Sequence, residues 1–116
     1  MIRKNIVNDV SRYVVQLPEE CLAGLTIKML AGRFDVSRCH ISRAFHSECG
    51  MTLTTFIKRQ KLLRAERLLA ADGDVTIKEL ASRLGYADYQ YFIARFKKEW
   101  GESPGRYRKL FFNFAE

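Results

Sequence analysis

The sequence predicts an all-α fold in which two helix-turn-helix subdomains are joined by a long linker helix, about seven helices in total. Three observations lead there. A segment repeats with an offset of fifty residues: Thr26-Ile-Lys-Met-Leu-Ala-Gly-Arg33 returns as Thr76-Ile-Lys-Glu-Leu-Ala-Ser-Arg83. Apolar residues recur at spacings of three and four, the period of a helix with one buried face. Ser, Thr or Asp precedes the helical stretches of each copy, and Gly50 and Gly101 close the longer ones, as helix starts and stops require.

Residues 3–17 read as an opening helix with Ile6, Val7, Val10, Val14 and Leu17 inward, and Pro18 to Leu25 as a loop. In the first copy Thr26 caps a short helix whose inner face is Ile27, Leu30, Ala31 and Phe34. Ser37 caps a longer helix over residues 37–49, buried along Ile41 and Phe45, with Cys49 next on the same stripe and Gly50 as its stop. A linker helix follows from Thr52 to Ala71, apolar at Leu53, Phe56, Ile57, Leu62, Leu63, Ala65, Leu68 and Leu69, and ended by Asp72-Gly73-Asp74. In the second copy Thr76 caps a helix lined by Ile77, Leu80, Ala81 and Leu84; Gly85 makes the turn. Asp88 then caps a helix over residues 88–100 with Phe92, Phe96 and Trp100 inward, up to Gly101. Pro104 opens a closing helix through about Phe112.

After Phe34 and Leu84 the second copy gains one residue, and the match resumes at an offset of fifty-one, pairing Ile41 with Phe92 and Phe45 with Phe96. A turn tolerates such an insertion; a helix interior does not. Ala31 and Ala81 keep the side chain small where the two helices of each copy cross. The subdomains are thus residues 1–51 and 72–116, with 52–71 as linker.

Composition agrees. With 47% hydrophobic and 12% aromatic residues the chain can bury an ordinary core. No apolar run is long enough for a bilayer span, and the N-terminus lacks a secretory h-region, so no membrane partner and a cytoplasmic location are expected. Three cysteines, Cys21, Cys39 and Cys49, without a C-x-x-C pair argue against a disulfide framework. The net charge of +7 is uneven: residues 37–67 carry seven bases against two acids, while the flanking segments are each close to balance. Such a concentration suits a polyanion, although a solvated surface would look the same from charge alone.

Gly85-Tyr-Ala-Asp-Tyr-Gln-Tyr-Phe92, Arg95-Phe-Lys-Lys98, Gly101, Ser103-Pro104 and Tyr107-Arg108 together resemble the signature of the AraC/XylS family of transcriptional regulators. Ser37 through Phe45 with Gly50, and Arg64-Ala65-Glu66-Arg67-Leu68-Leu69, fit the same family, and the resemblance runs from about residue 3 to 110. It implies homeodomain-like three-helix units whose recognition helices enter successive major grooves of double-stranded DNA. It also implies that RNA polymerase is recruited or obstructed at bacterial promoters, by a cytoplasmic, nucleoid-associated protein with no cofactor. A linker of about eighteen residues spans about 27 Å, near the ~34 Å between successive major-groove faces. The duplicated units already give a two-part footprint, so the domain itself is expected to be monomeric. The chain is either a stand-alone regulator or the DNA-binding part of a larger one.

A recognition helix buries one stripe and offers the other to base edges. The first offers Cys39, Ser42 and Arg43 as base contacts, positions the resemblance also assigns; Arg43 is the leading candidate because a guanidinium can bind guanine O6 and N7 together. The second offers Tyr89, Gln90, Ile93 and Ala94, of which Gln90 matches adenine N6 and N7. Ile93 and Ala94 depart from the polar residue and arginine common in the family, which predicts that the second unit mainly anchors to the backbone. Phosphate candidates are Ser37, Arg38, His46, Lys58, Arg59, Asp88, Lys97, Lys98, Arg106 and Arg108, with Ser37 and Asp88 acting through backbone donors at the helix starts. Lys61 stands where the family usually has arginine.

Two other readings remain open at this point. Tyr86, Tyr89 and Tyr91 would suit an RNA-binding or protein-interaction adaptor, although Tyr86 and Tyr91 read more simply as packing between helices. Cys39, His46 and Cys49, spaced by seven and three, would suit a metal or redox sensor, although a fourth ligand is lacking. Nothing points to an enzyme: the sequence has no phosphate-cradling glycine loop and no nucleophile elbow.

Overall fold

The computed structural model describes residues 5–71 and 73–115, excepting the side chains of 111–115. Among the described residues it has eight helices and no strand: α1 Ile6–Gln16, α2 Glu19–Ala23, α3 Ile27–Arg33, α4 Arg38–Cys49, α5 Leu53–Ala71, α6 Ile77–Arg83, α7 Tyr89–Trp100 and α8 Pro104–Ala115. They fall into two compact units, Met1–Gln60 and Lys61–Glu116. Of the stop expected at Asp72-Gly73-Asp74, Asp72 lies outside the described residues.

The extra helix corrects the expectation of about seven and of a loop over Pro18 to Leu25. Pro18, with φ −62°, starts α2, and its carbonyl accepts from the amides of Cys21 and Leu22. Glu19 and Glu20 complement the helix dipole in the first turn, and fully buried Leu22 anchors the turn to the core. Five residues are too few to display a helical period, so the sequence pattern could not reveal it.

The two copies share the caps of their short helices and the turn that follows. Thr26 Oγ1 accepts from the Met29 amide at 3.1 Å, and Thr76 Oγ1 from the Glu79 amide at 3.0 Å. The turn after each short helix is closed by the same contact, Val36 N to Ala31 O at 3.0 Å and Tyr86 N to Ala81 O at 2.9 Å. Each turn needs a left-handed residue: Gly85 takes φ 83° without strain, whereas Asp35 adopts φ 55° with a side chain in place. Because Val36 and Tyr86 still correspond, the inserted residue is Ala87, between the tight turn and the Asp88 cap. Ser37 Oγ accepts from the His40 amide and Asp88 Oδ1 from the Gln90 amide; both long helices close on left-handed glycines, Gly50 and Gly101.

Each unit has its own core. In the first, Val10 and Val14 of α1, Leu30 of α3, Ile41 and Phe45 of α4 and Leu53 of α5 are almost wholly buried. In the second, Leu62, Ala65 and Leu69 of α5 join Leu80, Phe92 and Phe96. Phe92 and Phe96 stack in tilted contact at 6.0 Å, and Tyr107 of α8 meets Phe96 edge-on at 5.5 Å. Among the described residues no charged or polar residue is buried. Cys49, expected on the inner stripe of α4, is exposed.

Candidate nucleic-acid interface

On α4, burial of Ile41 and Phe45 turns Arg38, Cys39, Arg43 and His46 outward, with Ser42 half-buried beside them. Arg43 stands on a ridge. It borders one shallow recess lined by Ser37, Cys39, His40 and Ser47, and a second lined by Ile27, Ser42, His46 and Thr54. A guanidinium held between two open hollows, over a rigid apolar base, can reach outward without first leaving a pocket. The start of α4 adds backbone donors on a neutral cap, since Ser37 carries no charge.

The second long helix presents a different surface from the same frame. Gln90, Ala94, Lys97 and Lys98 are exposed, and Tyr89 is 37% exposed at the first turn of α7. Ile93, expected to face outward, is half-buried and packs against the second core. The Asp88 carboxylate occupies the Gln90 amide and sets a negative charge at the helix start, leaving only backbone donors there for an anion. Tyr86 is half-buried against Phe92 at 5.0 Å, and burial, then the neighbouring Tyr91, push its phenol up to about 12 against an opposing pull from Arg95. Tyr91, expected to pack between helices, is 50% exposed. Tyr107 is also raised, by burial, then by the negative Glu66 carboxylate and the hydrogen bond it donates to Glu66.

The remaining candidates separate. Lys58 and Arg59 are exposed on α5. Arg106 is exposed and pairs with Glu102 at 3.0 Å, one turn away on the surface, a contact weak enough for a phosphate to displace. Arg108 differs: its guanidinium donates to the carbonyl of Val75, a residue only 2% exposed, and its Nε is shielded from solvent. That arginine braces α8 against the entry to α6 through one of its donors. Cys39, His46 and Cys49 are all exposed, and no group of three His, Cys, Asp or Glu side chains among the described residues is arranged to hold a metal ion. Lys78, absent from the contacts expected from sequence, has its Nζ 5.5 Å from the centroid of the Tyr89 ring. The repeat could have flagged it, because Lys28 holds the same place in the first copy.

A family model described as a helix-turn-helix domain matches residues 30–110, which takes in α4, the linker α5 and α7. The chain belongs to the AraC family of helix-turn-helix transcriptional regulators. A curated relative, the uncharacterised helix-turn-helix-type transcriptional regulator YfiF of Bacillus subtilis, is 33% identical over 75% of this chain, and the match spans 27% of that protein's length. The probable transcription factor PqrA of Proteus vulgaris is 28% identical over 91% of this chain and 85% of its own. Among solved structures, the DNA-binding domain of the global transcriptional factor AdpA in complex with a target DNA is 27% identical, with a TM-score of 0.77, over 90% of this chain and 91% of that one. A probable AraC family transcriptional regulator from Rhodopseudomonas palustris is 25% identical, with a TM-score of 0.77, over 93% and 98%. No described helix of this AraC-type domain is long and apolar enough to cross a membrane.

Proposed function

We propose that this AraC-family domain binds double-stranded promoter DNA sequence-specifically, reading bases with the first unit and anchoring to the backbone with the second. The observation that carries this reading is the contrast between two copies that share their short-helix caps and turn contact. α4 lifts Arg43 with Cys39 and Ser42 beside it; α7 puts the half-buried Ile93 and small Ala94 at the equivalent positions. Base contacts fall to Arg43, Ser42, Cys39 and Gln90, with Ile93 and Ala94 limited to thymine methyls. Phosphate contacts fall to Arg38, His46, Lys58, Arg59, Lys97, Lys98 and Arg106, with the backbone donors at Ser37 and Asp88. Arg108 is left out, because its guanidinium is committed to Val75.

One monomeric domain engages successive major grooves, as the family resemblance implies. At a promoter, in the nucleoid, the bound domain acts on RNA polymerase, as recruiter or obstacle. The test is selection of bound duplexes from a random pool, followed by binding to every single-base variant of the winner. Discrimination concentrated in one half-site is expected, and equal discrimination in both would overturn the division of labour. Neutralising about six phosphates gives a log–log salt slope of about −5. A flat slope, or preference for single-stranded RNA at matched salt, would overturn duplex binding itself.

A further inference from the structure

We propose that Lys78 and Tyr89 form a phosphate clamp on the second unit, Lys78 supplying the charge and Tyr89 the platform that aims it. The proposal rests on the duplex-binding reading above and adds residues that reading did not contain. Lys78 is exposed on α6, and Tyr89 opens α7, so the pair joins the short helix to the long one across the turn. Its ammonium sits over the face of the ring, 5.5 Å from the centroid, where the ring quadrupole attracts a cation. A free lysine carries a flexible stem and loses much rotamer freedom on binding. Resting it on a ring that projects from a helix start removes part of that loss beforehand. An ammonium has three donors, and the ring face occupies one side of it only.

The local charge explains why this unit needs such a device. The first recognition helix starts on neutral Ser37, with Arg38 next to it. The second starts on Asp88, whose carboxylate holds the Gln90 amide and opposes an incoming phosphate. At the position equivalent to Arg38 stands Tyr89, which has no charge. Lys97 and Lys98 of α7 lie in its last turn, so at the start of the helix the cation comes from another element, and Lys78 of α6 is the one that lies over this ring. Lys28 occupies the matching register in α3, so both copies carry a lysine at the second residue of the short helix. Tyr89 is thereby a backbone element and not a reader of bases.

The test uses the full chain and the selected duplex, with four single variants, Lys78→Gln, Lys78→Arg, Tyr89→Phe and Tyr89→Leu, and the double variant of Lys78→Gln with Tyr89→Leu. Lys78→Gln is expected to make the salt slope less negative by about 0.9, so that the ratio of wild-type to variant affinity changes about eightfold over a tenfold span of salt. The loss is uniform across single-base variants. Lys78→Arg keeps the slope, and Tyr89→Phe, which keeps the ring, binds as wild type. Tyr89→Leu weakens binding, but adds nothing further in the Lys78→Gln background. An unchanged slope in Lys78→Gln overturns the clamp, as does a Tyr89→Leu loss confined to one base pair. Retention of the slope by Lys78→Arg separates loss of charge from loss of fold. If the wild-type protein itself fails to prefer the selected duplex over a shuffled one, the underlying duplex reading is overturned, whatever Lys78 does.

Discussion

Arg108 tests whether basic residues in this domain serve the fold or the ligand. Its family-like position invites a phosphate contact, yet its guanidinium donates to the carbonyl of Val75, itself 2% exposed. Truncation in Arg108→Ala removes a charge-assisted hydrogen bond and strands a shielded acceptor, a loss of about 2 kcal/mol. At about 4 °C per kcal/mol for a chain of this size, the melting temperature should fall by about 8 °C. Trp100 is the chain's single tryptophan and lies 6.3 Å, ring to ring, from both Phe96 and Tyr107. Its fluorescence therefore follows the second unit directly. The salt slope of DNA binding, measured well below the melting transition, should stay at the wild-type value. Arg108→Lys keeps the charge but not the planar fork, and should recover only part of the stability. An Arg108→Ala variant that melts normally, with a slope less negative by about 0.9, would refute this assignment and return Arg108 to the phosphate-facing set.

Three further outcomes follow from the same structure. Arg43→Ala should lose about 1–3 kcal/mol of discrimination at one base pair, with Arg43→Lys holding the salt slope but not the discrimination, read from single-base duplex variants. Gly85→Ala should destabilise the second unit by about 1–2 kcal/mol in urea unfolding, because φ 83° is left-handed, whereas Asp35→Gly at φ 55° should be neutral or stabilising. Tyr86, pushed up to about 12 chiefly by burial, is raised above its ordinary value of 10.0 in the folded state, so its contribution to stability is complete below pH 10 and is lost as pH climbs through 12. Denaturant unfolding across that window should show a downward trend that is shallower in Tyr86→Phe.

Most of the architecture was legible in the sequence because each helix start, stop and buried stripe is encoded locally. Thr26, Ser37, Thr76 and Asp88 all cap as their residue types suggest, and Gly50 and Gly101 terminate their helices in the left-handed region. The failures share a cause, which is that pattern reports spacing and not surroundings. Leu22 alone gave no period, yet a single fully buried side chain suffices to hold α2. Cys49 falls on the inward stripe by count, but lies at the last residue of α4, where nothing covers it. Ile93 falls on the outward face by count, yet leans back onto the second core. Arg108 and Lys78 needed three dimensions for another reason: their partners, Val75 and Tyr89, are thirty-three and eleven residues away.

The duplication also supplies an internal control for separating fold from ligand. Positions that are buried in both copies changed little in character: Leu30 and Leu80, Ala31 and Ala81, Ile41 and Phe92, Phe45 and Phe96. Among positions facing outward on the two long helices, Arg38 corresponds to Tyr89, Cys39 to Gln90, Arg43 to Ala94 and His46 to Lys97, while the exposed pair Glu48 and Glu99 is unchanged. A core constrains shape and volume, so equivalent frames hold equivalent apolar side chains. A surface that merely kept each unit soluble would be free to vary, but would gain nothing by exchanging a forked, five-donor side chain for a methyl group at the crest of one helix alone. On the proposed reading, two copies with one frame and different crests serve a ligand with two unequal halves. Direct readout needs donors at the groove floor; backbone anchoring needs only charge near a phosphate. Placing the outward arginine of α4 on α7, with Ala94→Arg, should therefore move base discrimination into the second half-site. If affinity changes while the pattern of preferred bases does not, the crest residues do not carry the readout.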